Sequence, residues 1–382
     1  MRSTDPVRIS SPEWTPEITE ADDRRYLDIV STELTDEQQA VITTPPEVYY
    51  QQDAILALHW HPEHIPMPLI RTRIKKSFPN STDELIIPTQ HNRLTSYGDF
   101  TGVEVDCYSR GFNRKVQLLV HFESSRVTDA DVFKGMLAHT FKYRSSQLFE
   151  FIDSVLDDGW EERVMEAAAK TGADTELIAF ARNGTAKLKK LIEKHYSSTP
   201  PGMLRNKIIQ FFFDSLREPY GDSLVDRAQV FLKAVKKIVK RYFSPTHFYE
   251  TKAIIEEVRS LGGCIVVPHP EQFWPILLAD YDVDAYEVWN PQSREYTDFL
   301  IGVVSKKNRR ARSGERPLLV TMGDDCHLSA KVRPPRFLDP AKASREVGWQ
   351  PAWDDLQVRK SLVLAGVDRR KVIEEYRARL NG

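Results

Sequence analysis

The sequence predicts an α/β protein with a mainly parallel sheet, interrupted midway by a long helical block. Three observations lead there. Short, continuous, β-branched apolar runs alternate with stretches of helical spacing, the pattern of strands buried on both faces between crossover helices. Seven of these runs end at, or carry, a histidine, aspartate or glutamate, and in (β/α) barrels the C-terminal ends of several strands build the site. Between residues 122 and 245 the strand pattern gives way to apolar residues at helical intervals.

The composition is that of a globular protein. Of 382 residues 41% are hydrophobic and 28% charged, with a net charge of −2, so neither a disordered chain nor a membrane span is expected. Residues 1–6 lack the basic-then-apolar layout of a signal peptide, and the expected location is the cytoplasm. Cys107, Cys264 and Cys326 form neither a disulfide framework nor a zinc ribbon and read as reduced packing thiols. The near-neutral total hides an uneven distribution. Residues 1–50 hold eleven acidic and four basic side chains, whereas residues 181–241 hold fourteen basic and five acidic ones. Such a basic block is either a solvated helix face or a surface for an anionic partner.

In chain order, residues 22–34 have amphipathic helical spacing, and Thr35 or Asp36 is a candidate N-cap for a second helix. Residues 43–46 (TTPP) break the pattern and introduce an apolar run from Ile55 to Leu58 that ends in His59-Trp60-His61, with His64 close behind. Further strands are expected over 84–87, leading to His91, over 101–106, carrying Glu104, and over 116–120, leading to His121. The helical block follows, with stretches at 129–156, 160–170, 175–196, 203–217 and 223–243, punctuated by Pro-Pro-Gly and Pro-Tyr-Gly. A helix over 249–261 precedes the strand 264–267, which runs into His269. Strands at 285–290, carrying Glu287, and at 318–322, leading to Asp325 and His327, complete the set. A proline- and arginine-rich turn at 331–336 and helices over 353–365 and 368–380 close the chain.

The division expected is an N-terminal helical extension at 1–50, a metal-binding domain at 51–121 and 246–345, a helical insertion at 122–245, and C-terminal helices at 346–382 packed on that domain. Side chains alternate across a strand, so His59 and His61 point the same way. Neutral imidazoles suit zinc, manganese or iron, and carboxylates bridge ions and offset their charge. A lone strand-end histidine is more often structural than a ligand. The joint placement of so many favours a metal site.

These ordered motifs resemble the PHP (polymerase and histidinol phosphatase) superfamily of metal-dependent phosphoesterases. His59-x-His61 is similar to the first motif, and His91 stands where the second places its histidine, with Gln90 replacing the usual aspartate. Gly102-Val103-Glu104 resembles the strand of the bridging glutamate, and residues 118–121 (LLVH) the next histidine strand. Residues 262–270 (GGCIVVPHP) are similar to the "GG…HP" strand, and Asp325-Cys326-His327 to the terminal D-x-H. The likeness covers about residues 53–121 and 246–330. It implies a distorted seven-stranded (β/α) barrel holding two or three divalent ions, of zinc, manganese or iron. On that pattern His59, His61, Glu104 and Asp325 hold one ion, Glu104, His121 and His269 a second, and His91 with His327 a third, with His64 as a further candidate.

The activity expected is hydrolysis of a phosphate ester by a metal-bridging hydroxide, on a phosphorylated small molecule or nucleotide. Asp325, His91 and His327 are the catalytic candidates, the histidines as proton donors to the leaving group. Arg93 and Arg294 are phosphate-binding candidates; Arg110 and Arg114 also follow motif strands. Three alternatives stand beside this reading: a nuclease using the basic helical block, a non-catalytic metal-binding interaction protein, and amidohydrolase-type chemistry on carbon–nitrogen bonds. The block lacks an evident aromatic stacking platform, which weighs against the first. Oligomeric state is not legible.

Overall fold

The computed structural model describes residues 15–279, 281–311, 314, 316–334 and 338–382. Residues 1–14 of the expected N-terminal extension, and Pro335 and Arg336 of the basic turn, lie outside the described residues. The chain divides into two units. One holds residues 15–32 and Arg144–Ser244, the other Glu33–Tyr143 and Pro245–Gly382.

The first unit is helical, with helices at Glu20–Val30, Tyr143–Leu156, Glu161–Thr171, Thr175–Lys194, Lys207–Ser215 and Asp222–Tyr242. Local chemistry sets their ends. Thr19 and Asp22 form a capping box, Asp174 caps Thr175–Lys194, and Gly172 closes Glu161–Thr171 at φ 69°. The core is aromatic: Tyr26, Phe151, Phe180, Phe212, Phe213 and Phe231 are all buried, each worth about 1.5–3 kcal/mol. Helix Glu20–Val30 belongs here. It buries Tyr26, whose hydroxyl pairs with Thr199 Oγ1 at 2.7 Å, while Asp22 meets Lys187 at 2.8 Å. The segment read as one N-terminal extension is therefore split between units: its second helix, Asp36–Thr43, capped by Thr35, buries Ile42 in the other. The stretch expected as continuous over 129–156 likewise divides at Lys142, into Asp131–Phe141 and Tyr143–Leu156.

Among the described residues the second unit carries ten strands: β1 Ala54–Ala57, β2 Trp60–His61, β3 Asp83–Ile86, β4 Thr95–Tyr97, β5 Phe100–Ser109, β6 Arg114–Glu123, β7 Cys264–Val267, β8 Ala285–Trp289, β9 Leu319–Met322 and β10 Cys326–His327. They form a six-stranded sheet in the order β4-β5-β6-β7-β8-β9 and two parallel pairs, β1-β3 and β10-β2. The mainly parallel sheet expected from the sequence is corrected here. β4, β5, β6 and β7 pair antiparallel, and only β7-β8 and β8-β9 within the large sheet are parallel. For β5 and β6 the reason is loop length. β5 and β6 are joined through Arg110–Asn113 alone, with Asn113 at φ 52°, and a parallel crossover needs a dozen residues or more.

Further backbone bonds link the sheets. Ile87 N donates to Ala57 O at 2.8 Å and Thr89 N to Trp60 O at 2.8 Å, which extends the β3 chain past β1 and β2. That chain reaches His91, which bridges Glu104 in β5. Beyond β9, Asp325 N donates to His59 O at 2.9 Å, and β10 pairs with β2. Gly102 permits the close approach of β3 to β5, since a Cβ there would run into Pro88 O and Ile87. Helix Arg369–Asn381 buries Ile373, Tyr376 and Leu380 in the same core as the strands. No described helix is long and apolar enough to cross a membrane.

Candidate metal centre

The strand ends bring seven of the expected ligands together, all within the second unit. Three overlapping triads have ligand atoms within 4.8 Å of one another: His59, His61 and Asp325; His59, Glu104 and His269; and His61, His91 and His327. Asp325 Oδ1 lies 3.6 Å from His59 Nε2, 3.6 Å from His61 Nε2 and 3.4 Å from His327 Nε2. Glu104 Oε2 is 3.7 Å from His61 Nε2 and contacts His91 Nδ1. The rings of His91, His61 and His327 form a column, with centroids 4.5 and 4.2 Å apart on either side of His61.

A ring of groups around these side chains orients them. Glu287 Oε2 takes His59 Nδ1 at 2.7 Å, which turns Nε2 towards the cluster. Its Oε1 accepts from His269 N at 3.1 Å and from Asn290 Nδ2 at 3.2 Å. Asp325 Oδ2 is held by Arg345 Nη1 and by Gln292 Nε2, each at 2.8 Å, leaving Oδ1 for the imidazoles. Glu63 Oε1 stands 3.5 Å from His327 Nδ1. Glu63, His269 and Asp325 adopt φ of 54°, 29° and 45°, left-handed values that non-glycine residues avoid and that cluster at functional sites.

The electrostatics suit a cation. Burial pushes the Glu104 and Asp325 carboxyls up, but the imidazoles beside them, His91 for Glu104 and His327 for Asp325, more than reverse this and hold both well below the usual carboxylate range. His61 is pushed down to about 3 by burial and by the charges of His327 and His91, so it is neutral and able to ligate. The Nδ1 atoms of His61 and His269 are buried with no hydrogen-bond partner, a state that native interiors seldom leave unanswered. Five imidazoles with two carboxylates match zinc, manganese or iron better than the all-oxygen sets of calcium or magnesium. The residues fit divalent ions.

Not every expected ligand arrives. His121 stands apart: its Nδ1 pairs with Tyr376 Oη at 2.7 Å and its Nε2 with Leu58 O at 3.1 Å, and it belongs to none of the triads. The antiparallel course of β6 explains this. His121 pairs with Cys264, the first residue of β7, and so sits at the strand end opposite His269. His64 lies in the turn after β2 and also joins no triad. Arg93 and Arg294 are exposed, with no hydrogen bond or ion pair to the cluster; Arg294 lies over Trp289 at 5.9 Å. The three cysteines are buried and unpaired, and burial pushes the thiols of Cys107 and Cys264 up to about 12, which leaves them neutral. Glu287, noted on its strand, acquires an orienting role that the sequence did not assign, while Arg345 and Gln292 carried no signal at all.

No family model matches the chain, and no curated protein matches it. A solved structure of a Bifidobacterium adolescentis protein, described by inference as a metal-dependent phosphoesterase, is similar at 16% identity and a TM-score of 0.39, over 85% of this chain and 99% of that one.

Proposed function

We propose that the chain is a metal-dependent phosphoesterase, with two or three divalent ions held by His59, His61, His91, Glu104, His269, Asp325 and His327. The observation that carries the proposal is the convergence of these seven side chains into three overlapping triads. Their order along the chain, matching the PHP-like motifs, favours phosphate esters over carbon–nitrogen bonds. The backbone links support a distorted seven-membered barrel: β1 with β2, β3 with His91, β5, β6, β7, β8, and β9 with β10 form a hydrogen-bonded circuit that returns to β2.

Divalent ions at such a site polarise phosphoryl oxygens and bring the pKa of bound water down to about 7. The chain's own residues do the rest. Glu104 and Asp325 supply fixed negative charge, and Glu287, Gln292 and Arg345 hold His59 and Asp325 in register. The side chains of His91 and His327 are 20% and 22% exposed, against 2% or less for His59, His61 and Glu104. Whichever of the two is left free of metal would be able to meet a substrate and hand a proton to its leaving oxygen. Arg93 and Arg294, two residues beyond His91 and Gln292, are the cations proposed for a substrate phosphate. Support for a nuclease weakens, because Lys187, Lys189, Lys194 and Arg241 of the basic block form ion pairs with Asp22, Asp153, Asp23 and Glu166.

Elemental analysis of the purified chain, with a panel of phosphomonoesters, cyclic phosphates and short oligonucleotides, tests the proposal. Bound transition metal and hydrolysis that falls to the buffer rate in Asp325→Ala are expected. A chain that binds no divalent metal, or hydrolysis untouched by Asp325→Ala, would refute it.

A further inference from the structure

The large sheet has two ends, and the metal-competent groups take one. At the other, the N-terminal ends of β7, β8 and β9 open on a cleft of about 980 Å³, lined by Gly263, Asp284 and Leu318 just ahead of those strands. Its charge is lopsided. Among the described residues, six cations, Arg126, Arg259, Lys307, Arg310, Arg316 and Arg379, face two side-chain carboxylates, Asp282 and Asp284, with Gly382 also on the lining. Both carboxylates are already engaged. Asp282 Oδ2 takes Arg259 Nε at 2.8 Å, and Asp284 takes Arg259 Nη1 at 2.6 Å and Arg379 Nη1 at 3.3 Å. Arg126 gives one N–H to Gly262 O at 3.3 Å, and Lys307 Nζ lies 5.9 Å from the Tyr286 ring centroid. Among the described residues, Arg126, Lys307, Arg310 and Arg316 have no carboxylate partner.

A merely solvated face would spread such charges over a convex surface. Here they converge on a concavity, where like charges repel and low-dielectric walls focus the field onto an incoming anion. Five of the six are arginines, whose planar fork matches a phosphate and is less strongly hydrated than an ammonium group. The charges gather around one concavity rather than along a helix face, which fits a small polyanion better than a nucleic-acid backbone. We infer that this cleft is an anion site separate from the metal centre, taking a ligand that carries several linked phosphate groups. Inorganic oligophosphate and a nucleoside triphosphate share that chemistry.

Isothermal titration of the full chain tests it, with sodium tripolyphosphate and ATP as probes and no free divalent ion in the buffer. Wild type, Asp325→Asn, Arg310→Glu and Arg316→Glu are compared at about 50 and about 200 mM salt. Arg310 and Arg316 are exposed, so both variants should keep the wild-type thermal midpoint, which is checked first. Tripolyphosphate should bind at low salt, weaken as salt rises, lose about tenfold in affinity in either arginine variant, and bind Asp325→Asn as it binds wild type. Matching affinities for the two probes would identify the phosphates as the recognised group, and tighter ATP binding through the same arginines would identify a nucleotide. The inference is overturned by any of three results: no binding at low salt; binding lost in Asp325→Asn but kept in both arginine variants; or an oligonucleotide that binds while tripolyphosphate neither binds nor competes. Because the site is read out by binding alone, it stands or falls independently of hydrolysis at the metal centre.

Discussion

His59 and His61 stand two residues apart at one strand end, yet their surroundings drive them in opposite directions. Burial opposes charge on both. For His59 that penalty is outweighed, first by Glu287 and then by Asp325 and Glu104, and its pKa rises to about 10. For His61 burial is reinforced by His327 and His91, and it falls to about 3. At neutral pH the metal-free centre therefore holds a protonated His59 beside a neutral His61. A ligand must offer a lone pair, so metal uptake at pH 7 has to release a proton from His59 Nε2, whereas His61 has none to give. The sign follows. Below a pH of about 10 protons compete with the metal, so apparent affinity should rise with pH, by about tenfold per unit for each proton displaced. Competition against a chromophoric chelator from pH 6 to 9, with proton release followed in weak buffer, measures it. Affinity flat across that range, with no proton released, would overturn the protonated His59 of the metal-free centre.

At the scale of elements, β9 must leave the sheet past a buried carboxylate. Gly323 N donates to Trp289 O at 2.8 Å, and a Cβ on Gly323 would land on the Glu287 carboxylate that fixes His59. Gly323→Ala should push Glu287 off His59 and weaken metal binding by about 10–100-fold, the usual cost of losing an orienting partner. Gly111→Ala, where a Cβ meets nothing within 4 Å, should leave affinity unchanged. Equal metal affinity in Gly323→Ala and wild type would mean that Glu287 does not set the ligand geometry. Strand direction marks where the sequence stopped being readable. The apolar runs and the ligand at each end were legible, because burial on both faces and metal chemistry each leave a local pattern. Direction depends on connection length, and the short link between 106 and 116 held the clue that β5 and β6 form a hairpin. Reading them as parallel carried His121 to the wrong end of the sheet. Arg345 and Gln292 were unreadable for another reason: they reach Asp325 from positions 20 and 33 residues away, through tertiary contact alone.

Across the whole molecule, the two units have separate hydrophobic cores, one cluster drawn from 15–32 and 144–244 and two clusters from the strand-bearing remainder. The boundary at Thr32 was hidden in the sequence, since the two N-terminal helices have similar caps and only their burial partners differ. All seven converging side chains belong to the strand-bearing unit, and a metal stabilises only the structure that binds it. Calorimetry of the metal-stripped chain should therefore show two unfolding transitions. Zinc or manganese added to about 100 times the dissociation constant contributes roughly 2.7 kcal/mol, enough to raise one transition by on the order of 5–10 °C in a unit of this size. The other transition should not move, and Tyr26→Ala, which hollows the helical core, should lower that one alone. A single transition that metal shifts as a whole would show that the two cores unfold together, and the metal centre would then report on the stability of the entire chain.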